Sequence, residues 1–160
     1  MIKKLLLFFF VLFLLNTCQT AFAKISDNRI AVGEIYPGMS YGQVRKIYGD
    51  ADIQSGRGFK SWGNYLEISF SDDNRVQWVH TNESDDIYTP DGICIGMSAD
   101  MLTRIYGTAD FTNDGAVRGT TSYLYQGNTR NTRRLTFTVD SNGTIIKISA
   151  EDISVVNSIY

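Results

Sequence analysis

The sequence predicts an α+β protein of two tandem repeats, each a short helical segment followed by a three- to four-stranded antiparallel β-meander. Three observations carry that prediction. The stretch GMSYGQVRKIYGDAD at 38–52 returns as GMSADMLTRIYGTAD at 96–110. Each copy is followed by a strictly alternating run, Leu66-Glu67-Ile68-Ser69-Phe70 and Leu135-Thr136-Phe137-Thr138-Val139. Each run ends in turn chemistry, Asp72-Asp73-Asn74 and Ser141-Asn142-Gly143. Internal repetition marks units that bury too little surface alone, and a unit of about 60 residues is marginal by itself.

The chain opens with a segment set apart from the fold. Lys3 and Lys4 precede eleven Leu, Phe and Val residues, Leu5 to Leu15, and Ala21-Phe22-Ala23 places small residues at −3 and −1 of a cleavage point. That layout predicts a signal peptide over 1–23 and export to the periplasm or the cell exterior. Eleven apolar residues fall short of the roughly 20 a membrane span needs, so no integral span is expected in the mature chain. Cys18 follows Asn16-Thr17 rather than a small residue, which makes a lipid anchor at Cys18 the less favoured alternative.

Repeat 1 is assigned to 24–82, an acidic linker to 83–88, and repeat 2 to 89–160. Ser40 and Ser98 are expected helix N-caps, because a hydroxyl oxygen accepts from an orphan backbone N–H. Val44, Ile47 and Tyr48, then Met101, Leu102, Ile105 and Tyr106, recur at helical spacing. Gly49 and Gly107 stop those helices. Such short helices need a surface to pack on. The alternating runs supply it as half-buried strands, paired through their turns with Arg75 to Thr81 and Thr144 to Ser149. A further aromatic segment precedes each hairpin, Phe59 to Trp62 and Thr121 to Gln126.

Charge and composition exclude several functions. Without Lys3 and Lys4, 13 basic residues face 17 acidic ones. A mildly acidic exported chain is a poor nucleic-acid binder, and the one basic cluster, Arg130, Arg133 and Arg134, reads as a solvated loop. Cys94 alone remains in the mature chain, so no intramolecular disulfide forms, and Ile93-Cys94-Ile95 reads as buried small apolar packing. One His and one Cys give no zinc spacing. Asp140-Ser141-Asn142-Gly143 lacks the later ligands of a calcium loop and reads as a β-turn. Adjacent carboxylates such as Asp72 with Asp73 or Glu151 with Asp152 point apart on a strand or sit in solvated turns. No catalytic residue, cofactor or metal is expected.

The aromatics are the more informative set, since Trp and Tyr join large apolar area to a polar tip at interfaces. Trp62, Tyr65, Trp78, Tyr123 and Tyr125 are the protein-binding candidates, with Trp62, Tyr65, Tyr123 and Tyr125 expected to be exposed.

The pattern I-x-x-G-M-S-x-x-x-V-x-x-I-Y-G-x-A-D resembles the BLIP/BamE-like group, and Thr89 to Ser98 looks like the entry to a second such unit. The resemblance implies a helical layer on one face of an antiparallel sheet, with the other face free to bind protein. Known members are binders and assembly factors rather than enzymes. This chain departs from them in lacking a good lipid-attachment site and paired cysteines. The resulting expectation is an exported, non-enzymatic, inhibitor-like or adaptor-like module that binds a protein partner through its sheet face. The alternative is an assembly or maintenance factor of the cell envelope.

Overall fold

The structure, a computed structural model, describes residues 24–54, 59–83, 86–130 and 132–154. The expected signal peptide and Cys18 lie outside the described residues. Among the described residues a short 3-10 helix (Asp27–Arg29) and two α-helices, α1 (Tyr41–Tyr48) and α2 (Asp100–Tyr106), accompany eight strands: β1 (Ile53–Gln54), β2 (Phe59–Trp62), β3 (Leu66–Phe70), β4 (Val76–Thr81), β5 (Phe111–Asp114), β6 (Thr121–Gln126), β7 (Arg133–Val139) and β8 (Ile145–Asp152).

The expected architecture of two tandem helix-and-meander units is overturned. All eight strands form one antiparallel sheet in the order β1-β2-β3-β4-β8-β7-β6-β5. The fold is dominated by that sheet, with α-helices of only eight and seven residues. The join is made where β4 pairs with β8, from Trp78 opposite Glu151 to Thr81 opposite Ile148. A meander standing alone would leave the last strand with a row of unpaired N–H and C=O groups. Pairing β4 with β8 satisfies both open edges at once, so the halves merge rather than sit as separate units.

The repeated fifteen residues work as a local hook. Gly38 N–H donates to Val76 O at 2.7 Å and Val76 N–H returns to Met39 O at 2.8 Å. In the second copy Gly96 N–H donates to Ile145 O at 2.8 Å, and Ile145 N–H to Met97 O at 2.9 Å. Each Gly-Met segment is thereby sewn to the first residue of β4 or β8, and the helix that follows is laid against the sheet.

The ends of the helices carry the remaining repeated residues. At α1, Ser40 and Gln43 complete a capping box. At α2 the helix starts one residue later than expected: Ala99 holds the cap position, and Ser98 Oγ accepts from Asp100 N–H at 3.3 Å. Gly49 and Gly107 both sit at φ 79°, which side chains other than glycine rarely adopt. Their carbonyls accept from Trp62 Nε1 (3.2 Å) and Tyr125 Oη (3.4 Å). The last residue of each copy then accepts one backbone N–H: Asp52 from Gly63 at 2.6 Å, Asp110 from Gln126 at 2.7 Å. Glycine, aromatic and aspartate form the same clasp twice.

Arg29 reinforces the second helix alone. Its Nε bonds both Asp91 carboxylate oxygens at 2.9 and 3.0 Å, and its Nη2 donates to Ile105 O at 3.1 Å. A cation at a helix C-terminus also suits the helix dipole.

The core lies between the helices and the inward face of the sheet. It joins Val44, Leu102 and Tyr106 to Leu66, Ile68, Leu135, Phe137, Ile145 and Ile148 in one cluster spanning both halves. Tyr106 rests on Tyr125 and Phe137, with ring centres 5.1 and 5.5 Å away.

Candidate functional site

Burial along the strands shows which face is open. The pattern alternates buried and half-buried on β3, β7 and β8. Most inward positions are buried in the core, with Lys60, Thr121, Tyr123 and Arg133 half-buried; outward positions on β2, β3, β4, β6, β7 and β8 are half-buried, His80 excepted. The pairing registers place these outward residues in rows across the sheet. One row runs Ile53, Ser61, Glu67, His80, Ser149, Thr136, Leu124, Phe111 and touches every strand. At about 4.8 Å between strands it extends about 34 Å. Its two ends, Ile53 and Phe111, are exposed apolar side chains. The neighbouring row runs Phe59, Ser69, Trp78, Glu151, Arg134, Gln126.

The centre of this face is an aromatic and charged cluster. The bulge between Ser69 and Phe70 turns Trp78 outward, and its ring meets the edge of Phe59 at 6.1 Å and the His80 ring at 4.1 Å. Lys147 Nζ stands 5.2 Å from the Trp78 ring centre, within cation–π range. His80 Nε2 lies 3.6 Å from Glu67 Oε2, while its Nδ1 is buried without a hydrogen-bond partner. Burial, and then the Lys147 charge, lower the His80 pKa to about 4, so the ring is neutral at physiological pH. Glu151 is pushed up by burial, an effect opposed by Arg134, whose Nη1 lies 4.0 Å away. Arg134 Nε is buried and unpartnered as well.

Of the five aromatics expected to bind, Trp78 alone stands on the open face. Trp62 is 2 % exposed and Tyr125 1 % exposed, both in the core, so their expected exposure is corrected. The cause is the clasp: each must reach inward to bond the carbonyl that ends a helix. Tyr123 shares the inward face with Tyr125 and is half-buried against the core. Tyr65 lies in the turn before β3, not on the strand, and also packs against the core. The sequence reading missed His80, Phe59, Leu124 and Lys147 as parts of one surface. The alternation of Val79-His80-Thr81 was the available signal.

The basic cluster is also revised. Arg133 and Arg134 lie on β7 rather than in a solvated loop, and Arg133 Nε pairs with Asp152 at 3.4 Å. The Asp140 turn forms as read: its carboxylate accepts from Thr144 N–H at 2.8 Å and Asn142 N–H at 2.9 Å, which lowers its pKa. Among the described residues no three His, Cys, Asp or Glu side chains are grouped to hold a metal ion. No helix of the described residues is long and apolar enough to cross a membrane.

No family model matches the chain, and no curated protein matches it. A solved structure does: the crystal structure of a DUF4309 family protein (YjgB) from Bacillus subtilis subsp. subtilis str. 168. The two share 10 % identity, the alignment covers 81 % of this chain and 88 % of that one, and the TM-score is 0.54. At that identity the likeness is one of fold.

Proposed function

We propose that this protein is an exported, non-enzymatic binding module that grips a protein partner across the open face of its sheet. One observation carries the reading. A half-exposed face about 34 Å wide carries an outward tryptophan with the His80 ring against it and Arg134 two strands along, and His80 Nδ1 and Arg134 Nε are buried without hydrogen-bond partners among the described residues. Buried polar groups are nearly always paired, so these two leave hydrogen-bonding capacity unused at this face. Trp and Arg are also the residues that most often dominate binding energy. The resemblance of the repeated motif to BLIP/BamE-like binders favours the same reading.

The test is site-specific photo-crosslinking of mature 24–160 in its native envelope fraction. A benzophenone side chain replaces Thr136, central on the open face, or Lys46, on exposed helix α1. Crosslinking of one partner from position 136 and not 46, abolished by Trp78→Ser, is the expected result. Equal crosslinking from both positions, or from 46 alone, would overturn the proposal.

A further inference from the structure

A second surface lies on the helical side, away from the open sheet face. The loop before α1, the C-terminal turn of α1 and the segment entering the second half enclose a groove of about 750 Å³. Its walls are tied together: Tyr48 Oη donates to Gly33 O at 2.6 Å, and Gly33 N–H donates to Tyr88 O at 3.0 Å. Gly33 is held to glycine twice over, by φ 54° and because a Cβ would collide with the Tyr48 hydroxyl.

The groove is acidic and aromatic together. Gly33 and Glu34 form a two-residue turn with both φ positive, closed by Val32 N–H to Ile35 O at 2.9 Å and Ile35 N–H to Val32 O at 3.0 Å. That turn sets Glu34 at the rim, and Asp86 lines the groove with it. Neither carboxylate is in an ion pair among the described residues. No basic residue lines the groove among the described residues. The Glu34 charge, after burial, raises the Tyr48 pKa, so that charge is felt inside the groove. Apolar contact is offered by Tyr88, 44 % exposed, and Ile47, 42 % exposed, with Pro90 beside them.

We propose that this groove is a docking site for a basic, extended segment of a protein partner. A lysine or arginine side chain enters between Glu34 and Asp86, and the flanking residue packs on Tyr88 and Ile47. Charge complementarity selects the cation. The volume falls in the usual range for pockets that take a small ligand or one to two side chains, too small for a folded domain. Tyr88 and Tyr48 line the same groove, where an aromatic ring adds attraction for a cation seated over it. An ion alone would leave Tyr88, Ile47 and Pro90 uncovered, which is why a segment with an apolar neighbour is the occupant. This site stands independently of the open-face reading.

The test uses uniformly ¹⁵N-labelled mature chain and three probes: acetyl-Ala-Arg-Ala-Leu-Lys-Ala-amide, the same peptide with Glu at both basic positions, and spermidine. The basic peptide is expected to shift amides at 33–34, 47–48 and 86–89 saturably, below about 5 mM. The double variant Glu34→Gln/Asp86→Asn keeps side-chain size, and should weaken that binding at least about fivefold, as should raised salt. Thermal melting confirms that the variant is folded. The proposal is overturned by absent saturation, by shifts confined to the sheet face, by equal binding of the acidic peptide, or by an indifferent double variant. Spermidine binding as tightly as the peptide would assign the groove to small polyamines instead. Because the readout is residue by residue, failure here is separate from failure at Trp78.

Discussion

Trp62 and Trp78 are the two tryptophans of the chain, and they stand on opposite faces of one sheet. Trp62 is buried, its indole N–H bonded to the carbonyl that ends α1. Trp78 is half-buried, its ring flanked by Phe59, His80 and the Lys147 ammonium. The first closes a helix and the second builds a surface. Aromatic content therefore does not mark the open face; strand register does, together with the hydrogen bond each polar tip must make.

The largest expected effect separates the two directly. Trp62→Ala should lose about 3–5 kcal/mol of stability, from the lost transfer energy and the cavity left behind. Trp78→Ala should lose about 1 kcal/mol, since its outer side already meets solvent. Urea unfolding followed by circular dichroism measures both. Similar losses would mean that Trp78 is a core residue, and the distinction between the faces would collapse.

Much of this was legible beforehand, and the gaps have physical causes. Leu66, Ile68 and Phe70, and Leu135, Phe137 and Val139, were readable as inward faces because period-two alternation fixes orientation. The helix stops at Gly49 and Gly107 were readable from the repeat itself. Trp62 was not, because Phe59-Lys60-Ser61-Trp62 has no alternation to orient it. Counting outward from Leu66 failed for Tyr65 because the chain is already turning there. The face of Trp78 hinges on a bulge, which adds one residue to a strand without leaving a distinct sequence mark. Continuity of the sheet was hidden for another reason. Pairing of β4 with β8 is a long-range contact that no local pattern encodes.

Acid should act on the open face before it acts on the core. His80 has a folded pKa of about 4, below its ordinary 6.5. The unfolded chain therefore binds the proton more readily than the folded one between those values. Stability contributed by the neutral ring is complete above about pH 6.5 and lost as pH falls toward 4. Discounted for solvent near the ring, the loss is on the order of 2 kcal/mol. Glu151, with its pKa raised by burial, acts with the opposite sign, and Glu67 and Lys147 also face the ring. The difference between the native chain and His80→Gln isolates the histidine: the native chain should lose more stability from pH 7 to 4. Parallel pH profiles would show that His80 is free to charge, and that the centre of the open face is wetter than its burial implies.

The smallest effect tests whether the two clasps are equivalent. Tyr125 occupies in the second half the place of Trp62 in the first, but its hydroxyl reaches Gly107 O at 3.4 Å against 3.2 Å for the indole. Burial raises the Tyr125 pKa to about 12, so the hydroxyl keeps its proton as a donor throughout the neutral range. Tyr125→Phe retains the ring against Tyr106 and Phe137 and removes only that donor. A long, neutral hydrogen bond contributes about 0.5 kcal/mol. Trp62→Phe gives up both donor and ring area, and should cost about 2 kcal/mol or more. Arg29 explains why the second clasp is the weaker one: it already holds the end of α2 through Ile105 O, a support with no counterpart at α1 among the described residues. In an Arg29→Met background the Tyr125→Phe loss should therefore grow, and a double-mutant cycle that shows no coupling would mean that the two supports act separately.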